Sequence, residues 1–292
     1  MTLLINKTVL MSDAENFSVG CPINPYYQDS AVDCKAVVIE HNNIRQLLES
    51  SGVKITTVKS PKGCQDGVYT ANWALIRGDL AVLARLPNAR QQEEEYAEQV
   101  LTSLGKKIIH LPKGVKFSGQ GDALPCGDLL FCGSGYRSDP EAQEFVAGVL
   151  GYDRVQLQTI PLLDKSSKPV INKSSGWYDS YFYDIDLALA VIKPLTDQHK
   201  GLIAYCPAAF TTESQKKLTD LKSVDKIEVS LEEAKCAFAT NLVSTGETVV
   251  MSADAPKLRK ELESHGLKVV SPKITELAKG GGYIRCVTLT ID

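Results

Sequence analysis

One segment recurs along the chain: an amphipathic stretch ending in leucine, a short polar turn, then an apolar, strand-like run. It reads Leu48-Glu49-Ser50-Ser51-Gly52-Val53-Lys54-Ile55 near the start and Leu262-Glu263-Ser264-His265-Gly266-Leu267-Lys268-Val269 near the end. Further copies begin at Leu101, Val149 and Leu218. In most copies a glycine supplies the left-handed residue that stops the helix, and the chain then turns into a strand. Two strand-like runs precede the helix, as at 68–76 with 80–83 and 241–243 with 248–251. After the last copy, residues 282–291 read as strand only. The helix and strand at 35–58 complete that unit, so the two chain ends share one module. Five units of roughly 55 to 60 residues predict an array. A ring closed by both termini needs no capping repeats. The fold read here is a five-module α/β ring forming a single domain over 1–292; the alternative is an unrelated α/β fold with accidental similarity.

Composition narrows the function. The chain has 292 residues, 43% hydrophobic and 23% charged, which is ordinary for a globular protein. A net charge of -3 gives no reason to expect nucleic acid or an anionic membrane as partner. No stretch approaches the ~20 apolar residues of a membrane span, and the first residues lack the pattern of a signal peptide. Eight cysteines are scattered without a C-x-x-C pair, and the histidines at 41, 110, 199 and 265 add no close ligand pair, so no metal is expected. A reduced cytoplasmic protein with mostly buried thiols is the economical expectation.

If the modules are related by rotation, equivalent strand starts point at a common axis. The polar residues at those points are Asp66 and Asn72, Asp122, Asp184 and Asp186, Asn241, and Cys286. Singly, each Asp or Asn reads as a turn former. Together, carboxylates, amides and a thiol suit a cationic, hydrogen-bonding small molecule. Cys286 follows Gly280-Gly281-Gly282, which leave room for a tight turn or a close ligand, and it precedes the β-branched Val287, Thr288, Thr290 and Ile291. Alone it reads as a buried apolar residue; as the fifth module's contribution to the ring it becomes a candidate nucleophile.

Four pieces carry a resemblance. Asp66-Gly67-Val68-Tyr69-Thr70-Ala71-Asn72-Trp73, Gly119-Gln120-Gly121-Asp122-Ala123-Leu124, Asp184-Ile185-Asp186-Leu187-Ala188-Leu189-Ala190-Val191 and Gly280-Gly281-Gly282-Tyr283-Ile284-Arg285-Cys286 stand in the order and spacing of the amidinotransferase superfamily. The chain resembles these guanidine-modifying enzymes, the penteins, over nearly its whole length. It is most similar to the dimethylarginine dimethylaminohydrolase and arginine dihydrolase branches. The resemblance implies a five-bladed α/β propeller with pseudo-fivefold symmetry, closed by the N- and C-terminal segments. It also implies a cysteine that attacks a guanidinium carbon and a thiouronium adduct that water hydrolyses to a urea. Cys286 matches that nucleophile. Asp66 and Asn72 match the guanidinium-binding positions, with Asp122 and Asp186 beside them. Asn24, Arg90 and Arg137 are placed to hold the amino-acid end of the substrate, a task to which arginine is suited. No cofactor is implied, and the chain is compatible with a homo-oligomer.

The sequence departs from the family in one respect. The family's general acid/base is a histidine directly after the Phe-Tyr of the third motif; here Phe182-Tyr183 is followed by Asp184. Its glutamate partner follows Phe in the second motif; here Phe117 is followed by Ser118. A carboxylate serves proton transfer near neutrality less well than an imidazole. Asp184, the catalytic candidate at that position, is better suited to binding a cation. Three functions are therefore open. The first is a Cys286-dependent hydrolase or amidinotransferase of a guanidino or ureido compound. The second is a catalytically impaired binding protein for arginine-like ligands, and the third is an interaction protein on the same fold.

Overall fold

The computed structural model describes residues 4–27 and 31–292. Its strands form five three-stranded sheets, four of which are built alike. In each, two antiparallel strands are followed by a helix and a third strand parallel to the second. These are β3 (Ala74–Arg77), β4 (Leu80–Leu83), α2 (Gln92–Ser103) and β5 (Lys107–Ile109), then β6 (Ala123–Cys126), β7 (Leu129–Ser134), α3 (Pro140–Leu150) and β8 (Asp153–Gln158). The next are β9 (Leu189–Lys193), β10 (Gly201–Tyr205), α4 (Thr212–Asp220) and β11 (Val224–Glu228). After the short helix α5 (Leu231–Cys236) come β12 (Val243–Ser244), β13 (Thr248–Val250), α6 (Pro256–Ser264) and β14 (Lys268–Val270).

The fifth sheet joins the two ends of the chain, as the sequence implies. β1 (Thr8–Ser12) runs parallel to β2 (Lys54–Val58), which follows helix α1 (Cys34–Ser50), and antiparallel to β15 (Leu289–Thr290). Helix α1 starts where Asp33 accepts hydrogen bonds from the backbone N–H groups of Lys35 and Ala36. It buries Val37, Ile44 and Leu48 on one face. The helix-stopping glycine of the repeat is seen at Gly151, which ends α3 with φ at 69°. No helix among the described residues is long and apolar enough to cross a membrane.

A single turn of 3-10 helix sits before the first strand in three modules, at Thr70–Asn72, Gly119–Gly121 and Ile185–Leu187. The ring positions read from the sequence fall on or beside these turns. The last module differs from expectation: residues 284–287 are turn, not strand, and β15 spans two residues. Strand composition is overridden there because the backbone N–H groups of Arg285 and Cys286 both donate to Asn241 Oδ1, at 3.0 and 3.2 Å. The Cys286 carbonyl meanwhile accepts from Ala71 N at 3.1 Å. Glu40 of α1 anchors the approach to this turn, accepting from the N–H groups of Thr275 and Leu277 at 2.8 and 2.9 Å.

Candidate functional site

Cys286 is buried at the turn held by Asn241. Asn241 Nδ2 donates to its Sγ at 3.1 Å, and the thiol donates to Asp186 Oδ2 at 3.5 Å. Burial and the Asp186 carboxylate push the thiol well above its ordinary pKa, so without a ligand it is protonated at neutrality. Asp186 is likewise pushed well up, by burial and by Asp184. None of the four histidines borders this site.

The space beside Cys286 is small, about 10 Å³, and is lined by Asn24, Asp66, Asn72, Arg90, Arg137 and Tyr183, with Gly280 and Gly282 among its other walls. A substrate needs this space to widen. Asn72 is the hub of one wall. Its Nδ2 donates to Asp184 Oδ2 at 2.9 Å and to Ser118 Oγ at 2.9 Å, while its Oδ1 accepts from Arg90 at 2.7 Å. Arg137 stacks on Tyr183, 3.9 Å from the ring centre, and its Nη1 lies 3.6 Å from Asp184 Oδ2. Asp66 is engaged by its own chain, accepting from Tyr27 at 2.6 Å and Gln65 at 3.0 Å.

The triple glycine acts through close approach of side chains. A Cβ at Gly280 would lie 2.5 Å from the Tyr69 hydroxyl, and one at Gly281 would collide with Asn24. Asn24 in turn donates to the Gly280 carbonyl at 3.0 Å, and Tyr183 to that of Gly281 at 2.6 Å. Gly281 has φ at 83°, so the turn needs glycine there for its backbone too.

Two expected ligand contacts take other places. Arg90 does not stand free for a substrate carboxylate. It is buried in an ion pair with Glu93, donating from Nε and Nη2 at 2.8 Å each, and its Nη2 also reaches the carbonyls of Asp66 and Tyr69. It orients Asn72. Asp122 lies a layer behind the space: its Oδ1 accepts from Ile185 N at 2.9 Å, fixing the turn that carries Asp184 and Asp186. Burial and Asp184 push its carboxyl well up. Sequence reasoning does not reach Glu93, although its i, i+3 spacing from Arg90 carries a signal, and it places Asn241 on the ring without showing that this side chain holds the Cys286 turn.

Three buried carboxylates nevertheless keep an oxygen without a partner: Asp122 Oδ2, Asp184 Oδ1 and Asp186 Oδ1. Buried acceptors are ordinarily satisfied. Of the three, Asp186 touches the thiol and Asp184 faces Arg137, while none of them lines the space beside Cys286.

No protein-family model matches the chain. It is 32% identical over 281 residues to a dimethylarginine dimethylaminohydrolase of Mycobacterium tuberculosis, covering 94% of this chain and 82% of that protein. It is 28% identical over 288 residues to the bifunctional arginine dihydrolase/ornithine cyclodeaminase AgrE of a Nostoc species, covering 97% of this chain but 37% of that protein. The chain thus spans well under half of the bifunctional relative. The N-terminal domain of ArgZ, an arginine dihydrolase of cyanobacteria, superposes with a TM-score of 0.84 at 27% identity, covering 98% of this chain and 97% of that one. That domain has been solved with product and, as a variant, covalently bonded to a reaction intermediate.

Proposed function

The chain belongs to the amidinotransferase superfamily of guanidine-modifying enzymes, and from that membership we propose that it is a cysteine-dependent hydrolase of guanidine C–N bonds. Its substrate is an arginine-like or methylarginine-like small molecule. The observation that carries this reading is the buried Cys286 thiol, touching the Asp186 carboxylate and bordering a space walled by Asn24, Asp66 and Asn72. A guanidinium in that space brings planar N–H donors to the Asp66 and Asn72 wall and positive charge to the acidic residues behind it. Its arrival also lowers the thiol pKa, so the nucleophile forms where the substrate is bound.

In the first half of the reaction the thiol proton passes to the Asp186 carboxylate and Sγ bonds to the guanidinium carbon. The leaving amine takes that proton as its C–N bond breaks, giving an S-thiouronium. Water then adds to the same carbon, the C–S bond breaks, Sγ recovers a proton, and one proton goes to the released amine. Guanidinium and water thus give a urea and an ammonium ion. Splitting the substitution in two is the gain from covalent catalysis. Asp66 and Asn72 flank the cation in this reading, Asp184 serves binding through Asn72, and Asn24 and Arg137 hold the amino-acid end. The five modules form one domain, a five-bladed propeller closed where the two chain ends meet.

A second reading is favoured by Asp184 and Ser118 at the family's histidine and glutamate positions: a binding protein for arginine-like ligands with impaired turnover. Both readings are tested by ammonia, amine and urea-group release from arginine, methylarginines, agmatine and citrulline, with Cys286→Ala as control. Release from at least one guanidine that is lost in Cys286→Ala is the expected result. Tight binding without release, unchanged after Asp184→His with Ser118→Glu, would establish the binding protein instead.

A further inference from the structure

A second cavity lies behind the thiol. It has a volume of about 350 Å³ and shares no lining residue with the space beside Cys286. That size falls in the range of small-molecule sites. Its wall includes the apolar Leu124, Pro125, Leu189, Leu195 and Leu242; its polar lining includes Asp186, Arg285, Gln120 and Thr240, and Lys7 and Asp292 add one further charge of each sign. Arg285 is fixed there, donating to Gln120 Oε1 at 2.8 Å and to Thr290 Oγ1 at 3.2 Å. Asp186 Oδ1 and Thr240 Oγ1, by contrast, are buried without a partner. Asp186 joins the two spaces, since its other oxygen receives the Cys286 thiol.

The charges select the occupant. An anionic head drawn to Arg285 meets the Asp186 carboxylate, and a cationic head drawn to Asp186 meets the Arg285 guanidinium. A neutral head that both donates and accepts satisfies the floor without either conflict: its N–H reaches Asp186 Oδ1, and its carbonyl accepts from Thr240. The apolar wall asks for an aliphatic body. We propose that this cavity is a second ligand site, for a neutral aliphatic molecule with a carboxamide head, and that its occupation slows the reaction of Cys286. The mechanism is electrostatic. A donor on Oδ1 stabilises the Asp186 carboxylate, and a fixed negative charge against Sγ disfavours the thiolate. The site stands whether or not Cys286 turns over a guanidine.

Hexanamide is the probe, added to the full-length protein. Binding is followed by ligand-observed NMR, and Cys286 alkylation by iodoacetamide with peptide mass mapping. Saturable binding is expected, with Cys286 labelling slowed by about threefold or more at saturation while labelling of the exposed Cys34 stays constant. Hexanoate and hexylammonium bind about tenfold more weakly, equivalent to roughly 1.4 kcal/mol. Leu195→Trp fills the cavity from its wall and abolishes binding; Thr240→Val removes only the head contact and weakens it. Absence of saturable hexanamide binding, or binding unchanged in both variants, overturns the site. Saturable binding with unaltered Cys286 labelling overturns the link to the thiol.

Discussion

Two groups of buried charge lie within one wall of the site and are built on opposite principles. Around Arg90 the charges are closed: Glu93 takes two of its N–H bonds, Asn72 and two carbonyls take others, and Trp73 donates to Glu93 Oε2 at 3.1 Å. Around Cys286 they are open, with three carboxylates each missing a partner on one oxygen. Burying a charge is costly unless pairing and hydrogen bonds offset it. The closed group meets that condition within the chain and serves the fold. The open group leaves it unmet within the chain, and under the proposed function a bound cation offsets that deficit.

The sharpest way to break this contrast is to open the closed group. Glu93→Gln leaves the Arg90 guanidinium without its counter-charge and is expected to cost about 3–5 kcal/mol in denaturant unfolding. A loss below about 1 kcal/mol would show that Arg90 does not depend on the pair.

A smaller effect concerns a third buried group. His41 of α1 is held neutral, its pKa pushed down to about 4 by burial, and its Nε2 has no partner. The folded value lies below the unfolded one, so this contribution to stability is complete above about pH 6.5 and is lost as pH falls to about 4. The loss approaches about 3 kcal/mol. His41→Phe is expected to flatten that part of the stability–pH profile; an unchanged profile would assign the loss to other groups.

The smallest expected change in stability comes from reducing the open group. Asp186→Asn removes a carboxylate that the fold alone does not satisfy, so stability at pH 7 stays at or above that of the parent. The same variant lowers the Cys286 pKa, because Asp186 is the charge that most raises it. Neutral alkylating agents then label Cys286 faster, while affinity for a guanidinium falls by about tenfold or more. Lower stability together with slower labelling would place Asp186 in the closed class.

Much of this was legible in the sequence because the signals are local. Glycine after an amphipathic helix and a following apolar run marked four of the helix–strand copies, and the polar residues at strand starts marked Asn72, Asp186, Asn241 and Cys286. β1 is the middle strand of the fifth module and escapes the sequence reading because the strand that precedes it in the other modules, here β15, lies at the far end of the chain. The C-terminal strand was overread, since β-branched residues mimic strand while a side chain 45 positions away captures the Cys286 N–H. Arg90 reads as a ligand contact in the sequence because its pairing with Glu93 depends on burial, which spacing alone does not show. The rear cavity leaves no pattern in the sequence at all.

The central claim is that the open carboxylates make a cation site at the thiol. It is tested most directly by the rate of Cys286 alkylation with chloroacetamidine relative to its neutral counterpart, chloroacetamide. The exposed Cys34 and Cys236 in the same sample serve as internal controls. The cation-to-neutral ratio is expected to be about tenfold or more higher at Cys286 than at either exposed thiol. Equal ratios at all three cysteines would contradict it.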